Sequence, residues 1–134
     1  MRANGVALFE QREENDMTNI QRIGTTGKLS ESVQYQGVAY LSGKLPADLT
    51  NDIEAQSHSV LQVMEEALTR AGSSKSGILT AHIYLKHRRD ADAFNRIWNA
   101  WLPAGCAPAR ICVEANMLND AVLVEITVIA AVEG

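Results

Sequence analysis

The 134-residue chain is poor in the residue types that mark specialised classes of protein. It has two cysteines, and Cys106 and Cys112 stand neither in a CxxC motif nor in a spacing typical of zinc sites. We therefore expect free thiols, as in a reducing compartment, with a disulfide between the two as the alternative.

Long apolar runs are also missing. No stretch approaches the ~18 apolar residues that a membrane-spanning helix needs, and the apolar run within residues 1–10 is too short for a secretory signal. The sequence therefore predicts a cytoplasmic protein with no membrane partner.

The chain has no excess of positive charge, since its net charge at pH 7 is −4. The longest basic cluster, Lys86-His87-Arg88-Arg89, is followed at once by Asp90 and Asp92, so we interpret it as a solvated turn. A phosphate backbone selects for clustered lysine and arginine, so we expect no nucleic-acid partner.

The remaining composition, 46% hydrophobic and 21% charged, is typical of one globular domain. Residues 1–16 are polar and charged towards their end, and a more regular pattern begins at Met17. We predict an N-terminal extension over 1–16 and a single domain over 17–134.

Apolar periodicity predicts the element order β-β-β-α-β-α-β-β. In the first helix the apolar residues recur with a period near 3.6, Thr50 or Asn51 is the expected cap, and Gly72 is expected to end it. The predicted strands lie at 19–25, 33–35, 38–43, 78–85, 107–114 and 123–131, and the helices at 52–71 and 90–101.

This order predicts an α+β two-layer sandwich, with both helices on one face of a mixed sheet. The strands 78–85 and 123–131 are apolar enough to make the other face apolar too. An uncovered apolar face needs another subunit, so the pattern predicts a homo-oligomer.

Two of the predicted strands carry an ion each, Arg110 and Glu125. Such a charge is costly in an apolar core, costs little if it meets water, and is useful in a pocket. The residues alone leave these three possibilities open, and they also leave open a structural ion pair of Arg110 with Glu114 or Glu125.

Four segments occur in the order and approximate spacing of a known family. They are Tyr40-Leu41-Ser42-Gly43, Phe94-Asn95-Arg96-Ile97-Trp98, Ala107-Pro108-Ala109-Arg110-Ile111-Cys112-Val113-Glu114 and Val124-Glu125-Ile126. From about Gly27 to Val132 the chain resembles the Rid family, the reactive-intermediate deaminases also called YjgF/YER057c/UK114. The separation of Arg110 from Glu125, 15 positions (125 − 110), matches the family's spacing.

The resemblance implies a chorismate-mutase-like fold and a homotrimer with an inner barrel and clefts between subunits. It implies hydrolysis of 2-imino or enamine acids to 2-keto acids and ammonia, without a cofactor. We also predict no metal site, since His82 has no second ligand spaced to join it. The alternative function is a trimer that binds small carboxylic acids or a protein partner without turnover.

The resemblance also implies residue roles. Arg110 matches the arginine that clamps the substrate carboxylate, as a planar guanidinium is suited to do. Glu125 matches the acid that positions or activates the attacking water. The backbone around Cys112 matches the segment that holds the imine nitrogen, and Ser42, Gly43 and Asn95 match pocket or support positions.

Two pocket positions depart from the family pattern. Leu29 stands where many active members have a tyrosine, and Ile111 where serine or threonine is common. For the Cys112 side chain we expect inert packing, with a nucleophilic role as the alternative, and for Asn95 the alternative is a plain helix-surface residue. For Trp98 we expect packing, with an aromatic lid over the cleft as the minority view.

Overall fold

The computed structural model describes residues 19–133 and has the predicted element order. The predicted extension over 1–16 lies outside this range. The elements are β1 (Gln21–Ile23), β2 (Ser32–Tyr35), β3 (Val38–Leu41), α1 (Ile53–Arg70), β4 (Ile78–Leu85), α2 (Ala91–Trp101), β5 (Ala109–Glu114) and β6 (Val124–Ala131).

The strands form one six-stranded sheet in the order β1-β2-β3-β6-β4-β5. Only β4 and β5 run parallel among these neighbours, and α2 is the crossover that a parallel pair requires. Gln36 and Gly37 form the turn between β2 and β3, both with positive φ, 51° and 78°. The crossover leaves β5 at one edge of the sheet.

Helix α1 begins one residue later than the sequence predicts. Its cap is Asp52, whose side chain accepts a hydrogen bond of 2.9 Å from the Glu54 N–H, so the prediction of Thr50 or Asn51 as cap is wrong. The predicted end is confirmed: Gly72 follows the helix with a φ of 78°, a conformation that glycine adopts without strain.

The hydrophobic core lies between the two helices and one face of the sheet. Along β6 every second side chain is buried, and the same alternation holds in β4 from Ala81 to Leu85. The core includes Val60, Leu61, Met64 and Leu68 of α1, Phe94 and Trp98 of α2, and Ala81, Ile83, Leu85, Val124, Ile126 and Val128 of the sheet. The predicted α+β arrangement is confirmed.

The opposite face of the sheet, here called the open face, is not covered by either helix. By strand alternation and register it carries Tyr40, Thr80, His82, Tyr84, Ile111, Val113, Glu125, Thr127 and Ile129. Tyr40, Ile111 and Val113 are each more than 40% exposed. A depression of about 230 Å³ lies here, between Tyr40, His82, Thr127 and Ile129. The apolar uncovered face expected from the sequence is present.

Over residues 19–133, no helix is long and apolar enough to span a membrane.

Candidate functional site

Arg110 lies on the helix-covered side of edge strand β5. Its Cα partner on β4 is Ala81, which is fully buried beneath the helices. The guanidinium Nη1 donates a 2.8 Å hydrogen bond to Oδ1 of Asn95, and its carbon lies 5.8 Å from the ring centroid of Trp98. Asn95 and Trp98 stand three apart on α2, so both face the same way.

Arg110 has no carboxylate partner among the described residues. Glu114, one predicted structural partner, pairs with Arg88 at 3.2 Å. Glu125, the other, belongs to the opposite face of the sheet. Within one copy of the chain, Arg110 therefore forms no ion pair with either glutamate. Because the neutral Asn95 occupies only one N–H, the exposed guanidinium keeps donors free for a bidentate anion such as a carboxylate.

The ring of Trp98 packs against the guanidinium of Arg110. Its side chain is only 3% exposed, and it packs between Phe94 at 5.9 Å and Trp101 at 5.6 Å, ring centroid to centroid. The expectation of packing is confirmed, and a buried ring is not a lid. Sequence reasoning missed its contact with Arg110, although the spacing of Asn95 and Trp98 carried a signal: two residues one helical turn apart, facing the same strand.

Cys112 follows two positions after Arg110, so its side chain lies on the same side of β5. Burial raises the pKa of its thiol, and the nearby Arg110 offsets part of that effect. A thiol with a raised pKa is a poor nucleophile at neutral pH. Both cysteines are free in the structure, as expected. The arrangement favours packing for this side chain and leaves any ligand contact to its backbone.

Glu125 occupies the open face. Its Cα partner on β4 is Tyr84, and its neighbours Val124 and Ile126 are fully buried on the helix side. The carboxylate lies against Gly43: a methyl group on the Cα of Gly43 would be 2.6 Å from Oε2. Glycine at position 43 therefore leaves the space that this carboxylate fills.

The loop before β2 is tied to the same end of β3. The Ser42 hydroxyl donates to the carbonyl of Ser30 at 2.5 Å, and the Ser42 N–H donates to the carbonyl of Glu31 at 2.9 Å. Leu29, 51% exposed, is held in this loop by Thr26, whose N–H donates to its carbonyl at 2.7 Å. The loop thus presents an apolar side chain near the strand end that precedes Gly43.

The predicted site residues other than Ile111 fall into two groups. We call Asn95, Trp98, Arg110 and Cys112 the arginine cluster, and Leu29, Ser42, Gly43 and Glu125 the glutamate cluster. The partners of Arg110 and Glu125 on β4 are three positions apart, and side chains alternate along a strand, so the two ions point to opposite faces. Ile111 pairs with His82 and lies on the open face, away from Arg110.

Metal ligands are not grouped in this part of the chain. Between residues 19 and 133, no three or more His, Cys, Asp or Glu side chains are arranged to hold a metal ion. What the arginine cluster offers is an anion-binding guanidinium, and what the glutamate cluster offers is a carboxylate that faces the solvent side of the sheet.

The sequence matches a family of known proteins over almost all of the described range. The family model of Endoribonuclease L-PSP matches residues 19–132. A RutC family protein from Haemophilus ducreyi is 36% identical over 113 residues, which cover 84% of this chain and 97% of that protein. The 3-aminoacrylate deaminase RutC from Acinetobacter baylyi is 33% identical over 101 residues, 71% of this chain and 79% of that protein.

The fold matches solved structures as well. The crystal structure of a YjgF family member from Neisseria meningitidis superposes with a TM-score of 0.83 at 36% sequence identity. The match covers 87% of this chain and 97% of that one.

Proposed function

Because this chain belongs to the Rid family, also called YjgF/YER057c/UK114, we propose that it hydrolyses reactive 2-imino or enamine acids to the 2-keto acid and ammonia. The observation that carries this proposal is the state of Arg110: an exposed guanidinium, oriented by Asn95 and Trp98, with no carboxylate partner in residues 19–133. One relative bears the name of a deaminase.

In this proposal the site is shared between two copies of the chain. Arg110 and Glu125 face opposite sides of one sheet, so one copy cannot present both to one small substrate. A second copy that packs on the open face would bring its arginine cluster next to the glutamate cluster of the first copy. Exposed Tyr40, Ile111 and Val113 would be covered by that contact. A closed homotrimer would make three such sites.

The substrate carboxylate binds the free N–H donors of Arg110, which fixes the C=N carbon beside the glutamate cluster of the neighbouring copy. Backbone groups near Cys112 hold the imine nitrogen. Glu125 takes a proton from water while the water oxygen adds to the C=N carbon, giving a tetrahedral carbinolamine. Glu125 delivers that proton to the nitrogen, which completes the C–NH2 group. Glu125 then takes the hydroxyl proton and passes it to the amino group, so the C–N bond breaks and ammonia leaves as the C=O bond forms.

The proposed chemistry demands little of the protein. Imines hydrolyse without help, so orientation and charge stabilisation supply the acceleration. Arg110 contributes both, since it neutralises the carboxylate and sets its plane.

The test generates 2-iminobutyrate with a threonine dehydratase and traps surviving imine with semicarbazide. Wild-type protein should reduce the trapped adduct, and Arg110→Ala should leave it at the level of buffer. Arg89→Ala is the matched control, because Arg89 is an exposed arginine on the turn before α2. Full adduct with wild-type protein across several imine side chains would contradict the proposal.

A non-catalytic trimer that binds small carboxylic acids is the second candidate. The exposed Leu29 favours it, because an apolar side chain beside the glutamate cluster offers no hydrogen bond to water or substrate. Calorimetric binding of 2-oxobutyrate that depends on Arg110, together with full adduct in the trapping assay, would select this candidate.

A further inference from the structure

The side chain of Glu125 occupies the space that a side chain at position 43 would need. A Cβ built on Gly43 would have Oε2, Cδ and Cγ of Glu125 as its three nearest atoms, at 2.6, 3.5 and 3.7 Å. All three belong to one side chain, and the closest is its carboxylate oxygen. The obstacle to a side chain at position 43 is therefore Glu125.

Backbone conformation does not explain glycine at this position. The positive-φ glycines in the described chain are Gly24, Gly37, Gly72 and Gly105, and Gly43 is not among them. Alanine is therefore compatible with the backbone at position 43. Glycine at position 43 therefore leaves room for the Glu125 side chain and is not required by the backbone conformation.

The backbones on either side cannot easily separate to make room. The Lys44 N–H donates to the carbonyl of Ile126 at 2.7 Å, and the Ile126 N–H donates to the carbonyl of Lys44 at 3.1 Å. This reciprocal pair fixes the strand ends directly beside Gly43 and Glu125. An added methyl group would therefore displace the carboxylate, which must move about 0.8 Å (3.4 − 2.6) to reach ordinary contact.

We propose that Gly43 is a positioning residue, whose missing side chain lets the Glu125 carboxylate occupy one defined place at the end of β3. The consequence for catalysis rests on the proposed function, in which Glu125 activates water. The steric relationship does not depend on that function and is tested separately.

The structural test uses Gly43→Ala in two backgrounds. In the wild-type background a crystal structure should show the Glu125 carboxylate displaced, and the thermal midpoint should fall only slightly, because the nearest atom is the far end of a flexible side chain. In the Glu125→Ala background the same substitution should leave the midpoint unchanged, because the obstacle is gone. An equal loss in both backgrounds, or an unmoved carboxylate, would overturn the proposal whether or not the protein is an enzyme.

The catalytic test follows kcat and KM for imine hydrolysis. Gly43→Ala should lower kcat about 100-fold, the order expected for a misplaced catalytic group, with little change in KM because Arg110 is untouched. Glu125→Asp retracts the carboxylate by one methylene group, so Gly43→Ala should cost much less in that background. Additive losses would show that Gly43 acts by another route.

Gly77→Ala is the matched control. A methyl group there would lie 2.6 Å from the Ser73 hydroxyl oxygen and 3.1 Å from the backbone carbonyl oxygen of Ala131, so the substitution brings a clash at least as severe, away from both clusters. It should lower the thermal midpoint and leave kcat and KM unchanged. If Gly77→Ala reduced kcat as much as Gly43→Ala, the loss would come from general destabilisation and the positioning role would be refuted. If all forms of the protein are inactive, the proposed function fails and the structural test alone decides.

Discussion

Arg110 and Glu125 lie on opposite faces of the same sheet, because their partners on β4, Ala81 and Tyr84, stand three positions apart. An odd separation along a strand reverses the direction of the side chain. The guanidinium and the carboxylate, which the proposed function assigns to one site, are thus separated by the sheet within one copy of the chain. The consequence is that a shared site needs two copies, which makes the proposal testable by mixing variants.

Mixed oligomers should recover activity that neither parent has. Arg110→Ala keeps Glu125, and Glu125→Ala keeps Arg110, so a copy of each forms one intact site. In a randomly assembled 1:1 homotrimer mixture about one quarter of the sites should be intact. The trapping assay on co-refolded protein measures this. Mixtures of wild type with the double variant are the reference, and no recovery would place both groups in one chain's site or in none.

Loss of Asn95 should weaken substrate binding. Its Oδ1 accepts the 2.8 Å hydrogen bond that orients Arg110, and a hydrogen bond to a charged group is worth about 1.5–3 kcal/mol. Asn95→Ala should therefore raise KM about tenfold or more, with a smaller effect on kcat. Asn99→Ala, an exposed asparagine of the same helix, should behave as wild type. Equal kinetics for the two variants would remove Asn95 from the site.

Acid should destabilise the loop that carries Leu29. The guanidinium of Arg70, hydrogen-bonded to Glu31, lowers the pKa of that carboxyl below 4.5, and Lys44 adds to the effect. The unfolded state then binds the proton more readily, so the stabilisation is present above pH 4.5 and disappears as pH falls through the lowered pKa. The pair is partly exposed, so we expect at most about 1 kcal/mol.

Urea denaturation of wild type and Glu31→Gln at pH 7 and pH 3 checks this. The wild-type protein should be the more stable at pH 7, and the difference should shrink at pH 3. A difference that is the same at both values would show that the carboxylate charge is not responsible.

Lys44 should destabilise the fold at neutral pH. Lys44 is only 9% exposed and forms no ion pair within residues 19–133. Burial lowers the pKa of its ammonium group below 10.5. The unfolded state binds the proton more tightly, so stability should rise as pH increases through the folded pKa towards 10.5.

Lys44→Met removes the charge and keeps much of the volume. It should raise the free energy of unfolding at pH 7 by about 1 kcal/mol, the lower end for replacing buried charge by apolar packing. The variant should also lose the gain in stability that wild type shows as pH rises through the lowered pKa of Lys44 towards 10.5. A less stable variant at pH 7 would mean that the ammonium stabilises the fold through Glu31.

The elements were predictable because each has its own period. Buried residues recur along α1 with the helical spacing, and β6 alternates between buried Val124, Ile126 and Val128 and less buried Glu125 and Thr127. In the structure, that alternation puts Glu125 on the open face. The helix cap was missed, since Thr50, Asn51 and Asp52 are all suitable residue types and only the backbone conformation distinguishes them.

The side of the sheet to which Arg110 points could not be predicted from the sequence in the same way. β5 is an edge strand with one half-buried residue, Cys112, and five exposed ones, so its residues show no apolar alternation to indicate a side. Only its register on β4, opposite Ala81, decides where the guanidinium points. The contact between Gly43 and Glu125 also joins residues that are far apart in the chain.

The family and the order of the elements follow from the sequence, because both depend on residue type and local period. The tertiary structure decided which of the predicted site residues share a side of the sheet. Side-chain direction in a strand is set by its pairing register, and a register between distant segments is a property of the folded chain alone.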